Sequence, residues 1–137
     1  MPHTPFQVEI LTPEGEVFNE QVEMVSTRTT LGEIGILANH SPVLATLEPT
    51  ELRLYRSDTD IVRFAQGEGY LQVGGNHAML LVEEAVRPDQ LDAAVLRERL
   101  AEAERELEAA GDDTEKQRHA LTNQRRWREF LKIAEGS

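Results

Sequence analysis

Two periods of apolar spacing divide this chain. Up to about Arg87 the apolar residues alternate with polar ones. Phe6-Gln7-Val8-Glu9-Ile10 does so, Val22 and Met24 alternate with Gln21 and Glu23, and Leu52 and Leu54 with Glu51 and Arg53. Val62 and Phe64 flank Arg63, and Leu71 and Val73 flank Gln72. Successive side chains of a strand point to opposite faces, so this period of two predicts short strands with one buried face. Turn chemistry punctuates them at Thr12-Pro13-Glu14-Gly15, Ser57-Asp58-Thr59-Asp60 and Gly74-Gly75-Asn76. Many short strands at regular spacing predict a β-sandwich or flattened barrel.

At Pro88 the period changes. Arg87-Pro88-Asp89 has the form of a helix start, with proline setting φ and an acid in the first turn. Leu96, Leu100, Ala103, Leu107 and Ala110 then recur at spacings of four and three, a narrow seam along one helix face. Gly111-Asp112-Asp113 stops the helix, and Thr114-Glu115-Lys116-Gln117 has the form of a capping box for a second. The second seam is Ala120, Gln124, Trp127, Leu131 and Ala134, widened by Phe130 and Ile133. A short turn makes the two helices antiparallel neighbours. The predicted fold is therefore α+β: an N-terminal antiparallel β-sandwich over 1–87, followed by a C-terminal antiparallel two-helix hairpin over 88–137.

Composition narrows what such a chain can do. A formal net charge of −11 opposes binding to nucleic acid or to anionic membrane surfaces. The absence of cysteine removes disulfides, zinc–thiolate sites and thiol nucleophiles. No basic start followed by an apolar run is visible near Met1-Pro2-His3, so no secretory leader is expected. Apolar runs such as Met79-Leu80-Leu81-Val82 are too short for a membrane span. The histidines His3, His40, His77 and His119 are scattered, with no metal-ligand spacing. No serine sits in a nucleophile elbow, and no Gly-Lys-Ser/Thr follows the glycines of Gly67-Glu68-Gly69 or Gly74-Gly75. Carboxylates are plentiful but crowd the helical face, where solvation is their ordinary role.

The hairpin is electrically lopsided. Residues 88–113 carry nine acids against three bases, a sum of −6, and 114–135 carry six bases against three acids, a sum of +3. Opposite charge can hold the hairpin closed, but exposed pairs contribute only ~0–1 kcal/mol each. The basic helix is then either a solvated face or a surface for an acidic partner. The seam is thin as well, being rich in alanine, whereas a fully buried leucine contributes ~1.5–3 kcal/mol. Opened into one continuous helix, the hairpin would reach ~70 Å at ~1.5 Å per residue.

The run Gly32-Glu33-Ile34-Gly35-Ile36-Leu37-Ala38-Asn39-His40-Ser41-Pro42-Val43-Leu44 resembles the signature of the ATP synthase epsilon family, Gly-x-x-Gly-Ile and then His-(Ala/Ser)-Pro before an apolar strand. The glycines suit a tight loop between strands, and Pro42 fixes the start of the next one. Phe6 to Gly15, Gly69 to Val73 with Asn76, and the ending Leu131-Lys132-Ile133-Ala134 extend the resemblance over essentially the whole chain. It departs from the pattern at Pro49-Thr50 and at Glu68, both in turns.

The resemblance implies a non-catalytic central-stalk subunit of a proton-translocating F-type ATP synthase, on the cytoplasmic face of a bacterial membrane without inserting into it. Its β-domain would bind the gamma subunit and the membrane ring of c subunits, with Glu33, Gly35, His40 and Pro42 as interface candidates. Its hairpin would extend to the catalytic alpha and beta subunits and inhibit ATP hydrolysis, with Arg125, Arg126, Arg128 and Lys132 facing an acidic segment of beta. Some members bind ATP through Ile/Leu-Asp-x-x-Arg-Ala; here Leu91 and Asp92 match, but Val95 and Leu96 occupy the arginine and alanine positions. Weak or no ATP binding is therefore expected, and no cofactor. The residues alone also admit a β-sandwich binding module with a coiled-coil tail, or a small hydrolase or isomerase built on scattered carboxylates.

Overall fold

A computed structural model describes residues 3–136. Met1 and Pro2, where the leader reading begins, and Ser137, the last residue of the expected hairpin domain, lie outside the described residues. The chain splits into two compact units, Met1–Arg87 and Pro88–Ser137.

The first unit is built from ten strands: β1 (Phe6–Thr12), β2 (Gly15–Val22), β3 (Met24–Thr29), β4 (Gly32–Ile36), β5 (Val43–Leu47), β6 (Thr50–Tyr55), β7 (Ile61–Gln66), β8 (Gly69–Gly74), β9 (His77–Val82) and β10 (Ala85–Val86). They hydrogen-bond in the order β10-β7-β6-β3-β5-β8-β9-β1-β2, with β4 on the free side of β3. The junction of β3 and β5 consists of one register pair, Thr29 with Leu47, so the path bends there. Inside, Phe18 of β2 meets Phe64 of β7 edge to face, with ring centroids 6.3 Å apart. The result is the expected sandwich, closed around Phe6, Val8, Ile10, Val25, Ile36, Leu52, Leu54, Leu71 and Leu80, all buried.

The alternation reads correctly in β1, β6, β7 and β8, whose apolar residues point inward at every second position. It misleads at Val22 and Met24, which belong to different strands. The Glu23 N–H leaves the β2 ladder to donate to the Tyr55 carbonyl at 2.7 Å, and the inward phase resumes on Val25, Thr27 and Thr29. Two of these three inward residues are threonines, polar by type, which hid the strand. Thr27 Oγ1 donates to Gln66 Oε1 at 2.6 Å, and Gln66 Nε2 donates to the Glu48 carbonyl at 2.8 Å. Buried polar groups are tolerated when bonded in this way. The sheet also contains one parallel pair, β1 with β9. These strands are distant in sequence, so no hairpin forces them antiparallel. At the start of β8, a Cβ on Gly69 would lie 1.9 Å from the Leu81 carbonyl oxygen, so no larger residue fits without moving backbone.

In the second unit Pro88–Gln90 is a 3-10 turn, followed by α1 (Ala93–Ala109) and α2 (Thr114–Gly136). The helix start expected at Pro88 thus falls later. Asp92 is the cap, its carboxylate accepting the Ala94 and Val95 N–H groups at 3.0 and 3.3 Å. The capping box expected at Thr114 is displaced by one residue, because Asp113 accepts the Lys116 N–H at 3.2 Å. Aspartate is as good a cap as threonine or better, so the earlier acid takes the position. Gly111, at φ +55, ends α1 in the left-handed conformation that glycine adopts freely. The α1 seam holds, with Leu96, Ala103 and Ala110 buried. In α2 the buried set is Ala120, Phe130 and Ile133, so the two residues expected only to widen the face are its centre.

Candidate functional site

The expected sites fall on two surfaces, one in each unit. The first begins at the β3–β4 hairpin. Thr29 closes it, its Oγ1 donating to the Gly32 carbonyl at 3.0 Å and accepting the Leu31 N–H at 3.1 Å. Gly32, at φ +124, is the turn glycine, whereas Gly35 lies within β4 opposite Ser26. The segment read as a loop is therefore a strand. Its alternation was already visible, with Ile34 and Ile36 directed inward and Glu33 and Gly35 exposed. Glu33 projects to solvent, 81 % exposed, with its Oε1 3.7 Å from Arg28 Nη2 across the hairpin.

His40 and Pro42 sit in the loop between β4 and β5. The His40 N–H donates to the Leu37 carbonyl at 3.2 Å, and His40 Nδ1 lies 2.7 Å from the Ser41 carbonyl oxygen. Asn39, at φ +64, donates its N–H to Asn76 Oδ1 at 2.6 Å. The ring of His40 is half-buried and Pro42 is exposed. Near this surface, sequence reasoning missed two exposed leucines. Leu31 at the hairpin tip is 98 % exposed and Leu44 on β5 is 78 % exposed. An apolar residue at the centre of a two-residue turn, between Thr30 and Gly32, was the available signal for Leu31.

The second surface is the basic face of α2. Arg125, Arg128 and Lys132 are spaced by three and four residues, share one side of the helix and are exposed. Lys132 Nζ lies 3.7 Å from Glu129 Oε2. Arg126 is set apart from these three. It is half-buried, and burial pushes its guanidinium pKa below the usual arginine range. Its Cζ lies 5.2 Å from the centroid of the Trp127 ring, and Arg99 of α1 lies 5.0 Å from the same ring. Trp127 also meets Phe130 edge on at 5.8 Å. Toward the end of α2, Arg97 Nη2 pairs with Glu135 Oε2 at 2.9 Å. Contacts that hold the hairpin closed thus include an arginine–tryptophan stack, an ion pair and a small apolar seam.

At the positions of the nucleotide pattern, Asp92 is occupied in capping α1 and Val95 is partly exposed. A concavity between the β1–β2 turn and the β9–β10 segment is lined by Glu14, Glu16, Glu83 and Glu84, with no histidine, lysine or serine among its lining residues. No helix among the described residues is long and apolar enough to cross a membrane.

Comparison with known proteins gives concordant results. Residues 5–88 match the family model described as the beta-sandwich domain of the ATP synthase delta/epsilon chain. The chain is 31 % identical over 129 residues to the ATP synthase epsilon chain of Sulfurihydrogenibium sp., covering 94 % of this chain and 96 % of that one. Its fold resembles a chain in the Euglena gracilis mitochondrial ATP synthase, solved as OSCP, F1 and c-ring, with a TM-score of 0.75 at 19 % identity over 91 % of this chain and 78 % of that one. It also resembles a chain in the central stalk and c-ring of the Tetrahymena thermophila mitochondrial ATP synthase, with a TM-score of 0.65 at 16 % identity over 98 % and 99 % of the two chains.

Proposed function

The chain belongs to the ATP synthase delta/epsilon family as an epsilon chain, a non-catalytic subunit, and from this premise we propose that it is a rotor part that both couples and restrains the enzyme. The β-sandwich binds the foot of the gamma subunit and presents Glu33, Gly35, His40 and Pro42 to the ring of c subunits. The complex stands at the cytoplasmic face of a bacterial membrane. The hairpin is the restraining device. When it opens, α2 reaches the catalytic alpha and beta subunits, and Arg125, Arg128 and Lys132 meet an acidic segment there through charge-assisted hydrogen bonds, which arginine often makes in bidentate form. Arg126 joins them only after leaving the Trp127 ring. ATP hydrolysis is then blocked.

The observation that carries this reading is the contrast in construction within one chain. The exposed basic face belongs to a hairpin whose buried side chains include Leu96, Phe130 and Ile133 with three alanines, a smaller apolar seam than the core of the sandwich, so less burial holds it closed. The test compares ATP hydrolysis by the cognate catalytic complex with the full chain and with a version ending at Arg87. Both should bind gamma, and only the full chain should slow hydrolysis. Equal hydrolysis would reduce the basic helix to a solvated face, and loss of gamma binding by both would remove the rotor role altogether.

A further inference from the structure

The His40 loop is held by a residue outside it. Asn76 forms the β8–β9 turn with Gly75, at φ +57 and +58, the left-handed pair that a two-residue hairpin of the I′ type requires. Glycine would make this turn equally well. What asparagine adds is its side chain, whose Oδ1 accepts the Asn39 N–H at 2.6 Å from a loop 37 positions away. Asn39 is itself left-handed, at φ +64, in the turn that the His40 N–H closes onto the Leu37 carbonyl. Asparagine is among the few residues that enter this region readily, so one residue type serves both turns.

The platform is fixed in its turn. The Asn76 carbonyl accepts the Gln7 N–H of β1 at 3.2 Å, and the adjoining His77 Nε2 is bonded to Glu9 Oε1, also on β1, at 2.7 Å. The turn is thereby tied to the strand beside it, and the loop is tied to the turn.

We infer that Asn76 is a positioning residue for the ring contact. It acts through Asn39, fixing the backbone of the loop so that His40 and Pro42 approach the ring in one pose. This inference rests on the ring-contact reading of that loop. Without the Asn76 side chain the loop keeps its own turn and its histidine but loses its register to the sandwich, and ordering it is deferred to binding.

The experiment uses the full chain and the cognate assembly of gamma and c-ring, with N76G, N76D and H40A variants. Binding affinity is measured for each, and exchange of the Asn39 amide is followed by NMR in the free chain. N76G should keep the thermal midpoint, because glycine accepts the turn conformation, while Asn39 exchange accelerates and binding weakens about three- to tenfold, the scale of one net hydrogen bond. N76D keeps an acceptor oxygen and should restore both readings; H40A should weaken binding directly. If H40A weakens binding and N76G binds like wild type, the positioning role is overturned while the ring-contact reading stands. If H40A and N76G both bind like wild type, the ring-contact reading itself fails and takes the inference with it.

Discussion

The two units of this chain are held together in different ways. The sandwich buries large side chains from nine of its strands, and the polar groups it buries are bonded, Thr27 and Gln66 to one another. The hairpin buries Leu96, Phe130 and Ile133 with three alanines, and it adds contacts that water can replace: the Arg97–Glu135 pair and the arginine–tryptophan stack. Close packing has no neighbouring alternative arrangement of similar energy, whereas exposed charge pairs and cation–π contacts exchange for hydration at small cost. A single chain therefore combines a part that keeps its shape with a part whose shape is negotiable. This is the division of labour that the proposed coupling and restraining roles would call for.

Three measurements press on this contrast. The largest effect should come from Gly69→Ala, which forces a methyl group against the Leu81 backbone. It should cost about 3 kcal/mol, at the upper end for overpacking, in urea denaturation of the sandwich, with the helices intact. A loss near zero would mean that the sandwich is as pliant as the hairpin. Next, Arg99→Ala removes the interhelical half of the Trp127 stack, worth ~0.5–2 kcal/mol. Emission from Trp127, the chain's one tryptophan, should shift, and the cognate enzyme should hydrolyse ATP more slowly because the hairpin opens more readily. Unchanged emission would assign the hold on the ring to Phe130.

The smallest effect concerns charge on the rigid unit. Arg56 bonds Glu20 through two nitrogens, at 2.8 and 2.9 Å, and this holds the Glu20 carboxyl below its ordinary range. A depressed folded pKa stabilises fully above the unfolded carboxylate value and loses that contribution as pH falls through the folded one. Both groups are partly exposed, so the contribution should stay under ~1 kcal/mol. Urea midpoints of wild type and Glu20→Gln at about pH 6 and about pH 3 should converge at the acid end, where the wild-type carboxyl takes up a proton.

Much of this architecture was legible in the residues. The switch of period at Pro88 coincides with the boundary between the units, and β1, β6, β7 and β8 show their inward residues at every second position. What escaped did so for physical reasons. Inward Thr27 and Thr29 are polar by type, Thr27 being satisfied by Gln66 from a distant strand and Thr29 by the turn of its own hairpin. The second cap moved to Asp113 because neighbouring residues compete for the same N–H groups, and the first helix starts at Asp92 because Pro88–Gln90 forms a separate 3-10 turn. At the candidate site, Gly35, His40 and Pro42 stood out by their motif and Asn76 by its turn, but the reach of the Asn76 side chain to the loop did not show. Its bond to Asn39 joins two loops that no local spacing connects. The isolation of Arg126 from the other three cations follows from its burial beside Trp127, which spacing alone does not report.

The one parallel pairing bears on how the chain comes to be made. Gln7 and His77 are register partners, so the inner edge of β1 stays unmatched until β9 has left the ribosome. At roughly 5–20 residues per second that is a delay of several seconds, against about 1–10 μs for β1 to zip onto β2. During the interval a bare strand edge stands open to any extended segment nearby, including the same edge on a second nascent chain.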